Sequence, residues 1–184
     1  MMYDLVLKNC NVINENVESQ VDIAIKNQRI EKIAASIASE SSEELDLSGK
    51  LVIPGLIDDQ VHFREPGLTH KGEIATESKA ALAGGVTSYF EMPNVNPNTS
   101  NIENLEEKFE MASTKSVGNY SFYLGATNDN IEEIKKHDPK TSCGSKYLWE
   151  HLLVIYWLIN MNRLKRFLNT ALQILLLTVK ILKD

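Results

Sequence analysis

The chain has 184 residues, 43% hydrophobic and 24% charged, with a net charge of −6. That balance suits a soluble globular protein and excludes collagen, low-complexity disorder and a disulfide scaffold. The acidic charge argues against nucleic-acid binding, and two cysteines, Cys10 and Cys143, fit reduced cytoplasmic thiols.

In chain order, residues 3–7 (YDLVL) read as a strand, residues 9–16 as turn-rich, residues 21–25 (VDIAI) as an alternating strand and residues 29–33 (RIEKI) as another. Asp46 and Ser48-Gly49-Lys50 mark a turn. This predicts a small antiparallel β subdomain over residues 1–52. The opening MMYDLVLKNC has no basic region followed by an apolar core, so no signal peptide is expected.

Residues 51–57 (LVIPGLI) are apolar apart from Pro54-Gly55, the pattern of a strand buried on both faces of a parallel sheet. A helix is expected over 76–83, ended by Gly84-Gly85, then a second buried strand over 86–92. Residues 101–113 read as a helix with Ile102, Leu105 and Phe109 on one face, 120–124 as a third strand and 130–136 as a short helix. Strand, polar loop and helix repeat, which means α/β architecture and βα units of a (β/α) barrel over 53–144. A whole barrel takes about 250 residues, so the chain supplies only the opening units, roughly three.

Chemistry-bearing residues follow the expected strands. Asp58, Gln60, His62 and Arg64 alternate and would share one side of an extended strand at the face where barrels hold their active sites. Taken alone, the group also reads as a solvated loop. Glu91-Met92-Pro93-Asn94 puts an amide after the next strand, with a plain Pro-Asn turn as the simpler reading. Thr141 to Lys146 reads on its own as a surface turn with a structural Cys143. His70 and His137 lie among polar residues and read as surface histidines, and Cys10 has no partner motif.

Composition breaks after Gly144. Residues 145–184 carry +4 and the first 144 carry −10; every Gly and Pro lies before the break, both Trp and eleven Leu after it. A terminal amphipathic or buried helix would explain this. The longest apolar run there, Leu152 to Ile159, is too short to span a bilayer, which takes about 20 residues.

Residues 55–94, GLIDDQVHFREPGLTHKGEIATESKAALAGGVTSYFEMPN, closely resemble the opening of the dihydroorotases of the amidohydrolase superfamily; HFREPG, AGGVT and EMPN carry the match. The resemblance covers residues 1–144. It implies the N-terminal fragment of a metal-dependent (β/α)8 TIM barrel with a small β-sandwich before it. It implies reversible cyclisation of N-carbamoyl-aspartate to dihydroorotate in pyrimidine biosynthesis, with one or two zinc ions. The family's Asp-x-His-x-His motif stands here as Asp58-x-Gln60-x-His62, so His62 matches a ligand and Asp58 a supporting residue. Gln60 occupies the other ligand position with an amide oxygen, a weaker zinc ligand than imidazole, which leaves the nuclearity open. Arg64 and Asn94 match the residues that hold the substrate carboxylate, a role suited to a guanidinium. Lys146 stands where many relatives have a carboxylated, metal-bridging Lys. The family's catalytic Asp and later histidines have no counterpart in this chain. The resemblance also implies a cytoplasmic protein, a homo-oligomer at full length, and aspartate carbamoyltransferase as a partner. Two other readings remain: a hydantoinase, dihydropyrimidinase or allantoinase, or a non-catalytic dihydroorotase-like structural partner.

Beyond Gly144, relatives continue Ile-Lys-Val-Phe-Met-Gly-Ala where this chain has Ser145-Lys146-Tyr147-Leu148-Trp149-Glu150-His151. Gly144 onward can be written in the allowed codons GGA TCA AAG TAT TTA TGG GAG CAT; adding one A to that choice gives GGA ATC AAA GTA TTT ATG GGA GCA, which restores the relatives' residues. Leu148-Trp149 can supply the required Phe-Met (TTT ATG) only as TTA TGG. Residues 145–184 are therefore expected to be an out-of-frame tail, and the truncated chain is expected to be inactive.

Overall fold

The computed structural model describes residues 2–38, 40–138 and 140–147, in two units that divide between Gly55 and Leu56. Most of the expected out-of-frame tail lies outside the described residues.

The first unit is a five-stranded sheet of β1 (Leu5–Asn14), β2 (Val17–Lys26), β3 (Arg29–Ala34), β4 (Glu44–Asp46) and β5 (Leu51–Val52), ordered β3-β2-β1-β4 with β5 also on β1. Two two-residue turns close its hairpins, Glu15-Asn16 (φ 50° and 62°) and Asn27-Gln28 (φ 49° and 62°). Such left-handed pairs match the twist of the flanking strands. The stretch expected to be turn-rich, 9–16, is thus mostly strand. Its Asn9 (φ 56°) lies in a register shift between Leu7 and Cys10 rather than in a loop. The unit is also mixed rather than purely antiparallel, because β4 and β5 run parallel to β1.

Tyr3, Val6, Ala24 and Ile37 form its core. Beside them Asp22 is buried and accepts hydrogen bonds from Lys8 Nζ (2.5 Å), Asn9 N (2.9 Å) and Ile37 N (2.9 Å). The Lys8 bond above all, then the backbone amides, hold its carboxyl down at about 2.

The second unit repeats strand and helix: β6 (Leu56–Val61), α1 (Ile74–Ala83), β7 (Val86–Glu91), α2 (Ile102–Lys115), β8 (Asn119–Ala126), α3 (Ile131–Lys136) and β9 (Gly144–Tyr147). All four strands are parallel, in the order β6-β7-β8-β9. Sequential parallel strands joined by helices are barrel-type connectivity, and this is the opening part of an α/β barrel.

The helix-side core joins Ile74, Leu105, Ala112, Phe122, Leu124 and Ile134, with Phe109 edge-on to Phe122. The Asn101 side chain caps α2 by accepting from Asn104 N at 2.7 Å. Gly85 (φ 89°) turns the chain from α1 into β7.

The apolar run over 51–57 is not the doubly buried strand expected of it. Leu51 and Ile57 are 66% and 67% exposed. Pro54-Gly55 splits the run between the two units, and β6 pairs only with β7 among the described residues. Full burial belongs instead to β7 and β8, through Tyr89, Phe122 and Leu124. His137 is also not a surface residue: it is buried at the end of α3, with Nε2 2.5 Å from Ser142 Oγ. Burial pushes its pKa down. The pair ties α3 to the start of β9, where Gly144 N donates to the same hydroxyl. No described helix is long and apolar enough to cross a membrane.

Candidate active site

Two loops follow the carboxyl ends of β6 and β7, and the expected site residues divide between them. Met92 N donates to Val61 O (3.0 Å) and Asn96 N to Pro66 O (3.1 Å), so the loops are joined at both ends. Gly67 (φ 77°) lies where a Cβ would come within 2.0 Å of Asn96 O, and only glycine permits that approach.

Between these ties, His62 and Asn94 meet: Nδ1 lies 2.9 Å from Asn94 Oδ1. An amide oxygen only accepts, so Nδ1 is the donor in this contact. Arg64, two residues on, is half-buried with a left-handed backbone (φ 69°). That conformation strains an arginine, and its amide is held there by a 3.0 Å hydrogen bond to Glu91 Oε1.

The simple alternation expected of Asp58, Gln60, His62 and Arg64 does not persist. Strand β6 ends at Val61 and the backbone has turned by Arg64. Asp58 and Gln60 are exposed on the strand, and Asp58 Oδ1 accepts from Gln60 N at 3.0 Å. Lys146 on β9 reaches across to Gln60, with Nζ 3.5 Å from Oε1 and 5.8 Å from the centre of the Tyr123 ring. Tyr123 donates its hydroxyl to Asp59 O (3.1 Å), and burial pushes that phenol up to about 12. The structure therefore makes two pairs, His62–Asn94 and Gln60–Lys146.

Sequence reasoning gave no role to the charges beneath these loops. Glu91, at the end of β7, is fully buried with its Oε2 3.0 Å from Lys108 Nζ, itself buried on α2. The Lys108 ammonium also donates to Met92 O at 3.2 Å. It also lies 4.9 Å from the centre of the Phe122 ring. Burial pushes the Glu91 carboxyl up and the Lys108 ammonium down, each opposed by the charge of the other. A second buried carboxylate, Glu65, accepts from Ile74 N (2.9 Å) and pairs with Lys115. A signal for Lys108 was present in the sequence: it falls on the buried face of α2, three residues after Leu105 and four before Ala112.

The donor set can be compared with what a metal requires. Zinc sites use three or four imidazole, thiolate or carboxylate ligands. Here the pairs supply one imidazole, two neutral amides and one lysine amine, and no group of three His, Cys, Asp or Glu side chains converges among the described residues. These residues alone do not fit a metal centre. Burial pushes the Cys143 thiol up to about 11.

The family described as dihydro-orotase-like matches residues 49–144. An allantoinase from Desulfitobacterium hafniense (strain Y51) is 38% identical over 143 residues, covering 77% of this chain and 31% of the relative. A dihydroorotase from Streptococcus pyogenes (serotype M3, strain MGAS315) is 41% identical over 119 residues, covering 64% and 28%. Among solved structures, the L-hydantoinase (dihydropyrimidinase) from Arthrobacter aurescens superposes with a TM-score of 0.74 at 29% identity, covering 78% of this chain and 32% of that one. The chain thus spans about a third of the length of the relatives it matches.

Proposed function

The chain belongs to the dihydro-orotase-like family of the amidohydrolase superfamily, and from that premise we propose that it is the opening third of a dihydroorotase. The intact protein would interconvert N-carbamoyl-aspartate and dihydroorotate in the cytoplasm, as a step of pyrimidine biosynthesis. The observation that carries this reading is the convergence of the Arg64 backbone and the His62–Asn94 pair on two linked loops at the carboxyl ends of β6 and β7. In this reading the Arg64 guanidinium binds the ring carboxylate, which suits its two-pronged geometry. Asn94, its oxygen engaged by His62, offers its amide N–H groups to the same substrate.

A cyclic amidase centre also implies zinc in our reading. His62 would supply one ligand, and the residues completing the set would belong to the part of the relatives that this chain does not span. The proposed tail follows from the same account. A one-base deletion near the Gly144 codon would make residues 145–184 out-of-frame translation and the 184-residue product inactive.

Two observations favour other readings. The allantoinase similarity extends over more of the chain than the dihydroorotase similarity. Allantoin and hydantoins lack the ring carboxylate, so those substrates give Arg64 no partner. Gln60 in place of an imidazole favours a non-catalytic, dihydroorotase-like partner of aspartate carbamoyltransferase. The test begins with genomic DNA from the Thr141 codon to well past that of Asp184. One additional base opening a continuous family-like frame supports the deletion; stop codons soon after the shift in that frame contradict it. The enzyme from the continuous frame is then compared on dihydroorotate, hydantoin and allantoin. Preference for dihydroorotate supports the proposal, preference for either of the others replaces it, and no turnover on any favours the non-catalytic reading.

A further inference from the structure

The Glu91–Lys108 pair does more than neutralise itself. Glu91 directs Oε1 out of the pair to the amide of Arg64, while Lys108 directs its hydrogen bond to the carbonyl of Met92, two residues before Asn94. One buried ion pair therefore holds both loops that carry the proposed substrate residues, at 3.0 Å on one side and 3.2 Å on the other. Core filling alone does not require this arrangement, because apolar side chains of similar volume commonly replace buried ion pairs without loss of stability. The left-handed Arg64 backbone supplies a reason for the tie, since an unfavourable conformation persists only where its surroundings over-determine it.

We propose that Glu91 and Lys108 are positioning residues, a buried tie-bar that sets Arg64 and Asn94 relative to each other for binding of the substrate carboxylate. The inference rests on the substrate-binding reading of Arg64 and Asn94. Its geometric core, that the pair orders both loops, is separately testable.

The test uses the full 184-residue chain and the double variant E91M/K108M, which removes both ties while filling the same space. Hydrogen–deuterium exchange is read over residues 62–67, and the four histidine imidazoles are followed by 15N NMR. The expected result is exchange at the Arg64 amide at least about tenfold faster, with a shifted His62 imidazole signal and unchanged protection in β8. Unaltered Arg64 exchange and an unaltered His62 signal in the folded variant would overturn the proposal. Should the double variant fail to fold, E91Q keeps shape and acceptor but removes the negative charge. The Arg64 amide proton should then move upfield and exchange faster, with partial return in E91D; no change in either overturns the tie-bar. No turnover enters these measurements. Failure here with an enzyme that prefers dihydroorotate discards the tie-bar alone, whereas loss of that preference with the exchange result intact discards the substrate assignment alone.

Discussion

Each unit of the chain buries a carboxylate beside a lysine, and the two carboxylates respond in opposite directions. In the β unit, Lys8 remains partly exposed (side chain 24%) and Asp22 collects three hydrogen bonds, so the ionised form is favoured. In the βα unit, the Glu91 and Lys108 side chains are only 0% and 1% exposed, and desolvation outweighs their attraction. The same pairing of residue types thus gives a satisfied structural anchor in one place and a costly, fully enclosed pair in the other. The costly pair is the one beneath the candidate site, where strain and unusual charge burial concentrate when geometry must be held.

Removing each lysine in turn should break this comparison if lysine burial is not what separates the sites. K108M leaves Glu91 enclosed without a countercharge and should cost about 3–5 kcal/mol in urea unfolding. K8M leaves Asp22 its two backbone amides and should cost about 1.5–3 kcal/mol, the value of one charged hydrogen bond. K115M removes a lysine that is 38% exposed, while Glu65 keeps the amide of Ile74, and should cost at most about 1 kcal/mol. Equal losses at all three positions would contradict the account.

A pH series sharpens the same contrast. The folded pKa of Asp22 lies below its unfolded value of about 4, so its contribution is complete above that pH and disappears as pH falls towards about 2. Unfolding midpoints of the wild type should therefore drop between pH 4 and 2, and D22N should lose part of that slope. An identical slope in D22N would show that Asp22 does not carry it.

Much of the βα unit was legible in the sequence because its signals are local. Gly84-Gly85 ends α1, α2 starts at Ile102 within one residue of its expected start, and β7 and β8 bury Tyr89, Phe122 and Leu124 as their pattern required. Features that depend on distant partners were not legible. Asn9 looks like a loop residue, yet its left-handed backbone serves a register shift within β1, whereas Asn16 lies in the tight hairpin turn that its residue type suggests. The run over 51–57 is apolar enough for a core strand, but Pro54-Gly55 divides it and β6 has one neighbour among the described residues. His137 is polar in sequence and buried because Ser142 receives it. The motif brings His62, Arg64 and Asn94 forward as candidates, and the α2 periodicity marks Lys108 as buried, but its pairing with Glu91 depends on how α2 packs on the sheet.

The measurement that tests the central claim most directly is the substrate dependence of R64M in the enzyme from the continuous reading frame. If Arg64 reads the ring carboxylate, kcat/KM for dihydroorotate should fall about a hundredfold or more, while any turnover of hydantoin, which has no such group, should change little. Equal losses on both substrates, or no loss on dihydroorotate, would contradict it.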